Sequence, residues 1–182
     1  MAERSKVVKV VVIVRGIPGS GKSYLVNAIK DILDESIVCS ADDFFRVPDP
    51  VYPVASYEFD IAKLPQAHNA CMAKFIDAIQ ENKQFILVDN TNTHFWEVEN
   101  YIKLAHDNGY RISLLNCNPQ TRSELKVCIE RQTHDVPLST ILRLWYEFEP
   151  ASEWGNWAMP IVTENRVWNM KKVHDLSDLG IG

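Results

Sequence analysis

The sequence predicts an α/β fold in which a parallel central sheet is covered by helices on both faces. Apolar stretches of strand length alternate with segments whose apolar residues recur at helical spacing, and this alternation is typical of strand–helix–strand units. The first apolar stretch, Val10–Val14, leads directly into a glycine-rich turn and a helical segment. With 182 residues, the chain is long enough to bury one such sheet between two helical layers. We therefore expect a single domain over residues 1–182.

The glycine-rich turn after the first strand matches the phosphate-binding pattern G-x-x-x-x-G-K-S. Glycines let backbone N–H groups approach a polyphosphate closely, and the following helix adds the partial positive charge of its N-terminus. We expect Lys22 to reach the outer phosphates and the Ser23 hydroxyl to bind Mg²⁺. The pattern predicts a P-loop NTPase or kinase fold that binds a nucleoside triphosphate and Mg²⁺, rather than a glycine turn without a ligand. The predicted ATP-binding residues are Gly16, Ile17, Pro18, Gly19, Ser20, Gly21, Lys22, Ser23 and Tyr24.

Charge and composition narrow the class of protein. The net charge of −5, from 19 basic and 24 acidic residues, argues against broad non-specific binding to long nucleic acid. It leaves open a small basic cleft that grips one nucleic-acid end. The 4 cysteines lack C-x-x-C spacing, which favours reduced thiols over a zinc site.

The N-terminal segment lacks the form of a targeting signal. Basic residues precede the first apolar stretch, but that stretch ends at Arg15 and continues into the glycine-rich turn without a small-residue cleavage site. No stretch approaches the roughly 20 apolar residues that span a bilayer. We expect a protein without a membrane span, in the cytoplasm or alternatively in the nucleus.

The middle of the chain predicts two further strands and two helices. Ile37–Cys39 is a short strand, and the proline-rich segment from Ala41 to Pro65 is predicted as a long loop with short helical pieces. The spacing of apolar residues from 64 to 79 predicts a helix, and the next strand is Phe85–Val88. A helix from about residue 95 to 105 follows and is closed by Asn108 and Gly109.

The last third predicts one strand and a pair of helices around a break. Ile112–Leu115 forms the strand, a helix runs from about Thr121 to Arg131, and another begins near Leu138. The two helices and the break between them form a predicted lid over residues 122–143. Arg166–Trp168 is a candidate last strand within a tail, residues 149–182, that carries no assigned role.

Acidic residues follow the second predicted strand, where parallel sheets bind ligands. One of Asp42 and Asp43 is expected to accept the proton of an acceptor hydroxyl as that hydroxyl attacks the terminal phosphate. The alternative for this pair is a solvated helix cap. The residues alone leave open which of the two is the base, and Asp43 and Arg46 are predicted to belong to the substrate-binding part of the site.

A second polar cluster follows the strand Phe85–Val88. Asp89 is placed as the carboxylate that supports Mg²⁺ or orients the acceptor. The following Asn90, Thr91 and Asn92 add donors and acceptors, and we assign them with Asp89 to substrate binding. An Asx turn that caps the next helix is compatible with this role.

Arginines on the predicted lid are candidates for stabilising the transferring phosphate. Kinases close such groups over the site to offset charge and exclude water. Among Arg122, Arg131 and Arg143, we select Arg131 because it stands directly before the break. His134, inside the break, either contacts substrate or makes a structural hydrogen bond.

Five segments occur in the order found in a known family: Arg15–Ser23, Ser40–Phe45, Ala67-His68, Val88–Thr93 and Arg131–Pro137. Over about Val8 to Phe148, the chain resembles the polynucleotide 5′-hydroxyl kinase family of P-loop kinases. This family includes bacteriophage end-healing kinases and the kinase-like domain of certain ubiquitin-ligase-binding proteins.

The resemblance implies roles for individual residues. Lys22 and Ser23 would bind ATP and Mg²⁺, Asp42 would be the general base, and Arg131 the lid arginine. Asp89 and Thr91 would be acceptor-site groups. The phage kinases carry an acceptor-binding arginine three residues after the base, where this chain has Phe45 followed by Arg46. Either Arg46 takes that role or the acceptor differs.

Three functions are therefore weighed for this chain. The first is an ATP-dependent kinase that phosphorylates the 5′-hydroxyl end of RNA or DNA. The second is a P-loop kinase for a nucleoside, sugar or antibiotic, and the third is a non-catalytic ATP-binding regulatory module. A GTPase is disfavoured because Asn82–Phe85, the nearest approach to the N-K-x-D guanine motif, lacks the aspartate. Protein partners are not indicated.

Overall fold

A computed structural model describes residues 8–33, 35–48, 56–154 and 161–163 of the chain. The described strands are β1 (Val10–Arg15), β2 (Ile37–Cys39), β3 (Arg46–Val47), β4 (Ser56–Tyr57), β5 (Phe85–Asp89), β6 (Arg111–Asn116) and β7 (Ile161–Thr163). The described α-helices are α1 (Lys22–Ile32), α2 (Leu64–Gln80), α3 (Phe95–Asp107), α4 (Arg122–Arg131) and α5 (Leu138–Tyr146).

The main sheet has five strands in the order β2-β5-β1-β6-β7, and each neighbouring pair is parallel. All residues of β1 are buried because this strand lies in the centre of the sheet. The predicted α/β class and parallel sheet are therefore confirmed. Since the carboxyl ends of parallel strands meet at one edge, the segments after β1, β2 and β5 are brought together there.

Alternate residues of β1 belong to separate cores on the two faces of the sheet. Val10, Val12 and Val14 pack with α1, whereas Val11 and Ile13 pack with α2 and α3. Such burial on both faces explains why β1 is continuously apolar rather than alternating. The prediction of helices on both faces is confirmed.

The segment between β2 and α2 has more structure than the sequence predicted. It contains the expected short helical pieces, 3₁₀ turns at Ala41–Phe45 and Ile61–Lys63. It also contains an antiparallel ribbon of β3 and β4, in which Arg46 pairs with Tyr57. The predicted strand at Arg166–Trp168 lies outside the described residues, and β7 is the last strand within them.

None of the helices in the described part of the chain is long and apolar enough to cross a bilayer.

Arg15, at the end of β1, ties the sheet edge to the segment that follows α5. It is fully buried, and its guanidinium donates hydrogen bonds of 2.7–3.2 Å to neighbouring oxygens. The guanidinium carbon lies 4.4 Å from the Phe148 ring centroid and 4.0 Å from that of Trp154. Burial lowers the pKa of Arg15 to about 10, against the opposing charges of Glu149 and Glu97. The hydrogen-bond acceptors are the carbonyl oxygens of Asn92, Thr93 and Glu149 and the Oδ1 atom of Asn116.

We expect Arg15→Ala to lower the free energy of unfolding by about 3–5 kcal/mol. The substitution leaves a cavity and removes the donors of several buried oxygens. Urea denaturation of the variant and the wild type measures the difference. Arg111→Ala, at an exposed arginine of β6, is the matched control and should change stability by less than about 0.5 kcal/mol. Equal stability of Arg15→Ala and wild type would contradict the anchoring role.

Candidate active site

The phosphate-binding loop connects β1 to α1, and its backbone requires glycine at Gly19. Gly19 has φ +75°, and a Cβ atom there would clash with the Cys128 carbonyl of α4. The loop therefore packs closely beneath α4, and any side chain at position 19 would push the two apart. The loop is also fixed to the sheet edge, because the Gly16 N–H donates to the Thr91 carbonyl at 2.9 Å.

Ile17 has a different role from the rest of the loop. Its side chain is fully buried and packs with Leu125, Cys128 and Ile141 of the two lid helices. The Ile17 side chain therefore anchors the loop. The predicted binding of ATP at this position would involve its backbone.

Lys22, Ser23 and Asp89 come together at the start of α1. Lys22 Nζ donates to the Ile17 carbonyl at 3.0 Å, and the Ser23 hydroxyl donates to the Asp89 carboxylate. Burial raises the pKa of Asp89, and the Lys22 charge and the Ser23 hydrogen bond oppose this rise. Burial also lowers the pKa of Lys22, against the charges of Asp89 and Asp42. These three residues, which the sequence predicted to lie together, are neighbours in the structure.

The oxygen donors at this point suit Mg²⁺ shared with a nucleotide. Within the described residues, no group of three or more His, Cys, Asp or Glu side chains is placed to hold a metal ion. Mg²⁺ normally takes only one or two protein oxygens and completes its shell with phosphate oxygens and water. The Ser23 hydroxyl and the buried Asp89 carboxylate, already in contact, fit that requirement.

Asp42 lies in the 3₁₀ turn after β2 and is held from several directions. Its N–H donates to Ser40 Oγ at 3.3 Å, and the preceding Ala41 N–H donates to Asn90 Oδ1 at 2.9 Å. The Tyr57 hydroxyl donates to Asp42 Oδ1 at 3.1 Å. The turn thus presents a carboxylate at the same edge of the sheet as Lys22 and Asp89.

Asp43 occupies a different environment from Asp42. Its carboxylate pairs with Lys74 Nζ at 3.0 Å and lies 3.9 Å from Arg46 Nε, in an exposed position. Asp43 is thus engaged by two cations, whereas the side-chain contact to Asp42 comes from the neutral Tyr57 hydroxyl. The geometry therefore favours Asp42 over Asp43 as the base.

Position 45 holds a phenylalanine where the resemblance to the phage kinases leads us to expect an arginine. Phe45 is buried in the core, with its ring centroid 5.1 Å from that of Phe59 and 5.4 Å from that of Phe44. An arginine could not occupy this apolar position without leaving a buried charge. Arg46, on β3, carries an exposed side chain instead, and it is the cation nearest in sequence to Asp42.

The polar residues after β5 make different contacts in the structure. Asn90 binds the 3₁₀ turn through Oδ1, and its Nδ2 contacts Cys71 Sγ at 3.5 Å. Asn92 is buried, has φ +48°, and donates from Nδ2 to the Val14 carbonyl at 2.8 Å. Both side chains thus make bonds within the protein, and their substrate-binding roles stay predictions. Asp89 and Thr91 remain candidates for the acceptor site.

The lid arginines lie on exposed parts of their helices. Arg131 is the last residue of α4, the helix whose Cys128 carbonyl contacts the phosphate-binding loop. Burial raises the pKa of the Cys128 thiol, and the positive charges of Lys22 and Arg131 oppose the rise. Both cations thus lie near one side chain. Arg143, by contrast, pairs with Glu147 at 3.0 Å.

Two features of this site were not predicted. Tyr57 stands in a segment read as a loop, and no local pattern marks a tyrosine as the partner of a distant aspartate. For Arg15, the sequence gives a weak indication of its structural role. A charged residue that ends a continuously apolar strand must be either exposed or extensively hydrogen-bonded.

Comparisons with known proteins place the chain among P-loop proteins. A family model described as an AAA domain matches residues 11–151. NEDD4-binding protein 2 of Homo sapiens is 28% identical over 140 residues, which are 77% of this chain and 8% of that protein. This chain therefore spans only a small part of that relative's length.

Two solved structures share the fold. A chain of the Pnkp1/Rnl/Hen1 RNA repair complex superposes with a TM-score of 0.63 and 16% identity, over 90% of this chain and 51% of that one. Chaetomium thermophilum Kti12, in complex with ADP-AlF3, gives a TM-score of 0.58 and 15% identity, over 87% and 89% of the two chains. At these identities the likeness concerns the fold.

Proposed function

Since this chain belongs to the AAA-domain family of P-loop kinase-like proteins, we propose that it transfers the γ-phosphoryl group of ATP to the 5′-hydroxyl end of RNA or DNA. The observation that best supports the proposal is that Asp42 lies close to the residues predicted to bind the nucleotide. Burial lowers the pKa of Lys22, and both Asp89 and Asp42 lie near enough for their charges to oppose that lowering. A nucleotide-binding module without catalysis needs no second carboxylate there.

On the nucleotide side, Lys22 contributes positive charge toward the outer phosphates of ATP. The Ser23 hydroxyl and the Asp89 carboxylate would hold Mg²⁺, which neutralises phosphate charge when bound. In this structure Lys22 Nζ is bonded to the Ile17 carbonyl, so nucleotide binding exchanges that bond for contacts to phosphate. Arg131, at the end of α4, would add charge from the lid side.

On the acceptor side, Asp42 would act as general base. Its carboxylate takes the proton of the acceptor hydroxyl while the hydroxyl oxygen forms a bond to the γ-phosphorus. The bond between that phosphorus and the bridging oxygen breaks, and ADP leaves. Because there is little covalent chemistry for the protein to perform, positioning and charge stabilisation supply most of the rate acceleration.

The surface beside Asp42 favours a nucleic-acid end over a small alcohol. Arg46 has a side chain that is 64% exposed and can bind a phosphate. Phe44 and Phe59, which both lie against Phe45, are also exposed and can stack on bases. A sugar or antibiotic acceptor has no phosphate for Arg46 to bind.

Incubation with labelled ATP, Mg²⁺ and a panel of acceptors tests the proposal. The panel contains 5′-hydroxyl RNA and DNA oligonucleotides of several lengths, nucleosides and sugars. We expect label on oligonucleotides. Transfer only to a small alcohol would establish the second function, and binding of ATP without any transfer would establish the third.

We expect Arg46→Ala to raise KM for 5′-hydroxyl oligonucleotides by about tenfold, the effect of about 1.4 kcal/mol, and to leave KM for ATP unchanged. Stability should hardly change, because the 3.9 Å pair with Asp43 is exposed. Few phosphate contacts also predict a shallow dependence of affinity on salt. Steady-state kinetics measure KM for the oligonucleotide and KM for ATP, and Arg111→Ala is the control. An unchanged oligonucleotide KM would remove Arg46 from the acceptor site.

A further inference from the structure

The ribbon of β3 and β4 supplies a side chain that contacts the proposed general base. The Tyr57 hydroxyl donates to Asp42 Oδ1 at 3.1 Å. On the other side, the Tyr57 ring lies against the His134 ring, with centroids 4.4 Å apart and planes 36° apart. We propose that Tyr57 is a positioning residue that holds Asp42 for proton transfer and that His134 holds Tyr57. This inference rests on the proposed function.

The position of Tyr57 is set by contacts other than its bond to Asp42. Tyr57 pairs with Arg46 in the ribbon, and the next residue, Glu58, donates its N–H to the Phe45 carbonyl at 2.9 Å. The Tyr57 ring also packs at 6.2 Å from that of the buried Phe45. Because the ribbon and the core fix the ring, its hydroxyl can restrain Asp42 rather than follow it.

The chemistry of the contact suits a general base. Burial raises the pKa of Tyr57 to about 12, with further contributions from the charge and the hydrogen bond of Asp42. The hydroxyl therefore stays protonated near neutral pH and acts as a donor to Oδ1. Oδ2 is then the oxygen that can receive the acceptor's proton. A carboxylate held through one oxygen loses rotational freedom before the reaction, which lowers the cost of alignment.

His134 extends the contact to the lid. It lies in the segment of residues 132–137, which joins α4 to α5. The same helix α4 packs its Cys128 carbonyl against Gly19 of the phosphate-binding loop. One continuous stretch of chain thus contacts both the nucleotide loop and the tyrosine that supports Asp42. The position of the lid segment and the orientation of the base are therefore coupled through the ring contact.

Tyr57→Phe tests the hydroxyl, because the variant keeps the ring and its contact with His134. We expect kcat to fall about tenfold, as for the loss of a hydrogen bond to a charged group, with KM for ATP within about twofold of wild type. The matched control is Tyr110→Phe, which removes a hydroxyl bonded to the Lys83 carbonyl at 2.8 Å, and it should leave kcat unchanged. In an Asp42→Asn background, Tyr57→Phe should cause no further loss, because it acts through Asp42.

Two variants of His134 test the ring contact. His134→Ala should lower kcat in the same direction as Tyr57→Phe, whereas His134→Phe retains a ring and should preserve most of kcat. If His134→Ala has wild-type kcat, the coupling to the lid is overturned.

The outcomes separate this inference from the proposed function. Wild-type kcat in Tyr57→Phe together with an inactive Asp42→Asn overturns the positioning role alone. Full activity in Asp42→Asn overturns the base and the positioning role together. Should no acceptor be phosphorylated, NMR titration of the Tyr57 Cζ resonance still decides on the contact. Tyr57 should deprotonate at a lower pH in Asp42→Asn than in the wild type, because the Asp42 charge adds to the rise in pKa that burial causes in both proteins. Identical titration in both proteins overturns the proposal.

Discussion

Replacing Lys22 by alanine is expected to reduce phosphoryl transfer by about a thousandfold or more, which is the scale for removing a charge that stabilises the transition state. Lys22 is the cation of the phosphate-binding loop. Burial raises the pKa of the neighbouring Asp89, and the Lys22 charge opposes this rise. Initial rates with labelled ATP and the best acceptor of the panel measure the loss.

The fold should survive this substitution. Lys22 Nζ bonds to one loop carbonyl, and burial of its charge already opposes the folded state. Lys30→Ala, at an exposed lysine in the last turn of the same helix, is the matched control and should retain wild-type rates. Wild-type turnover in Lys22→Ala, in a preparation shown to be free of other kinases, would falsify the assignment of the nucleotide site.

Asp42→Asn is expected to lower kcat by about 10²–10⁴-fold while ATP affinity is retained, since a general base typically contributes that much. The amide keeps the shape of the side chain and can still accept the Tyr57 hydrogen bond, but it cannot take a proton. Single-turnover kinetics and equilibrium ATP binding separate the chemical step from nucleotide affinity.

Asp43→Asn is the matched control for this prediction, because it removes the neighbouring carboxylate from an exposed ion pair with Lys74. We expect it to change kcat by less than about threefold, as for other exposed pairs. If Asp43→Asn produced the large loss and Asp42→Asn did not, the carboxylates would have been assigned in the wrong order.

Local pattern determined the parts of this protein that depend on neighbours in sequence. The buried strand Val10–Val14, the glycine-rich turn and helix α1 were predicted together, because strand burial, positive φ values and helical spacing each leave a short-range signature. The same holds for the clusters after β2 and β5. Parallel strands bring their carboxyl ends to one edge, so the prediction of a parallel sheet already placed the segments of Asp42 and Asp89 at the same edge as Lys22.

Tertiary structure decided which groups the members of those clusters contact. Asn90 and Asn92 follow Asp89 with the same donor and acceptor groups that a substrate site needs. In the folded chain they bond to the backbone of Ala41 and of Val14. A polar side chain reads the same in sequence whether its partner is a ligand or a distant backbone group, because the partner's position depends on the packed sheet.

The contacts of Tyr57, Arg15 and Phe45 could not be predicted for the same reason, since their partners are distant in sequence. The sequence alone determined the fold class and the nucleotide loop of this protein. The tertiary structure decided that Tyr57 reaches Asp42, that Arg15 joins β1 to residues 148–154, and that Phe45 fills the core while Arg46 is exposed. These choices depend on contacts between residues far apart in the chain, whose geometry exists only after the sheet, ribbon and lid have packed together.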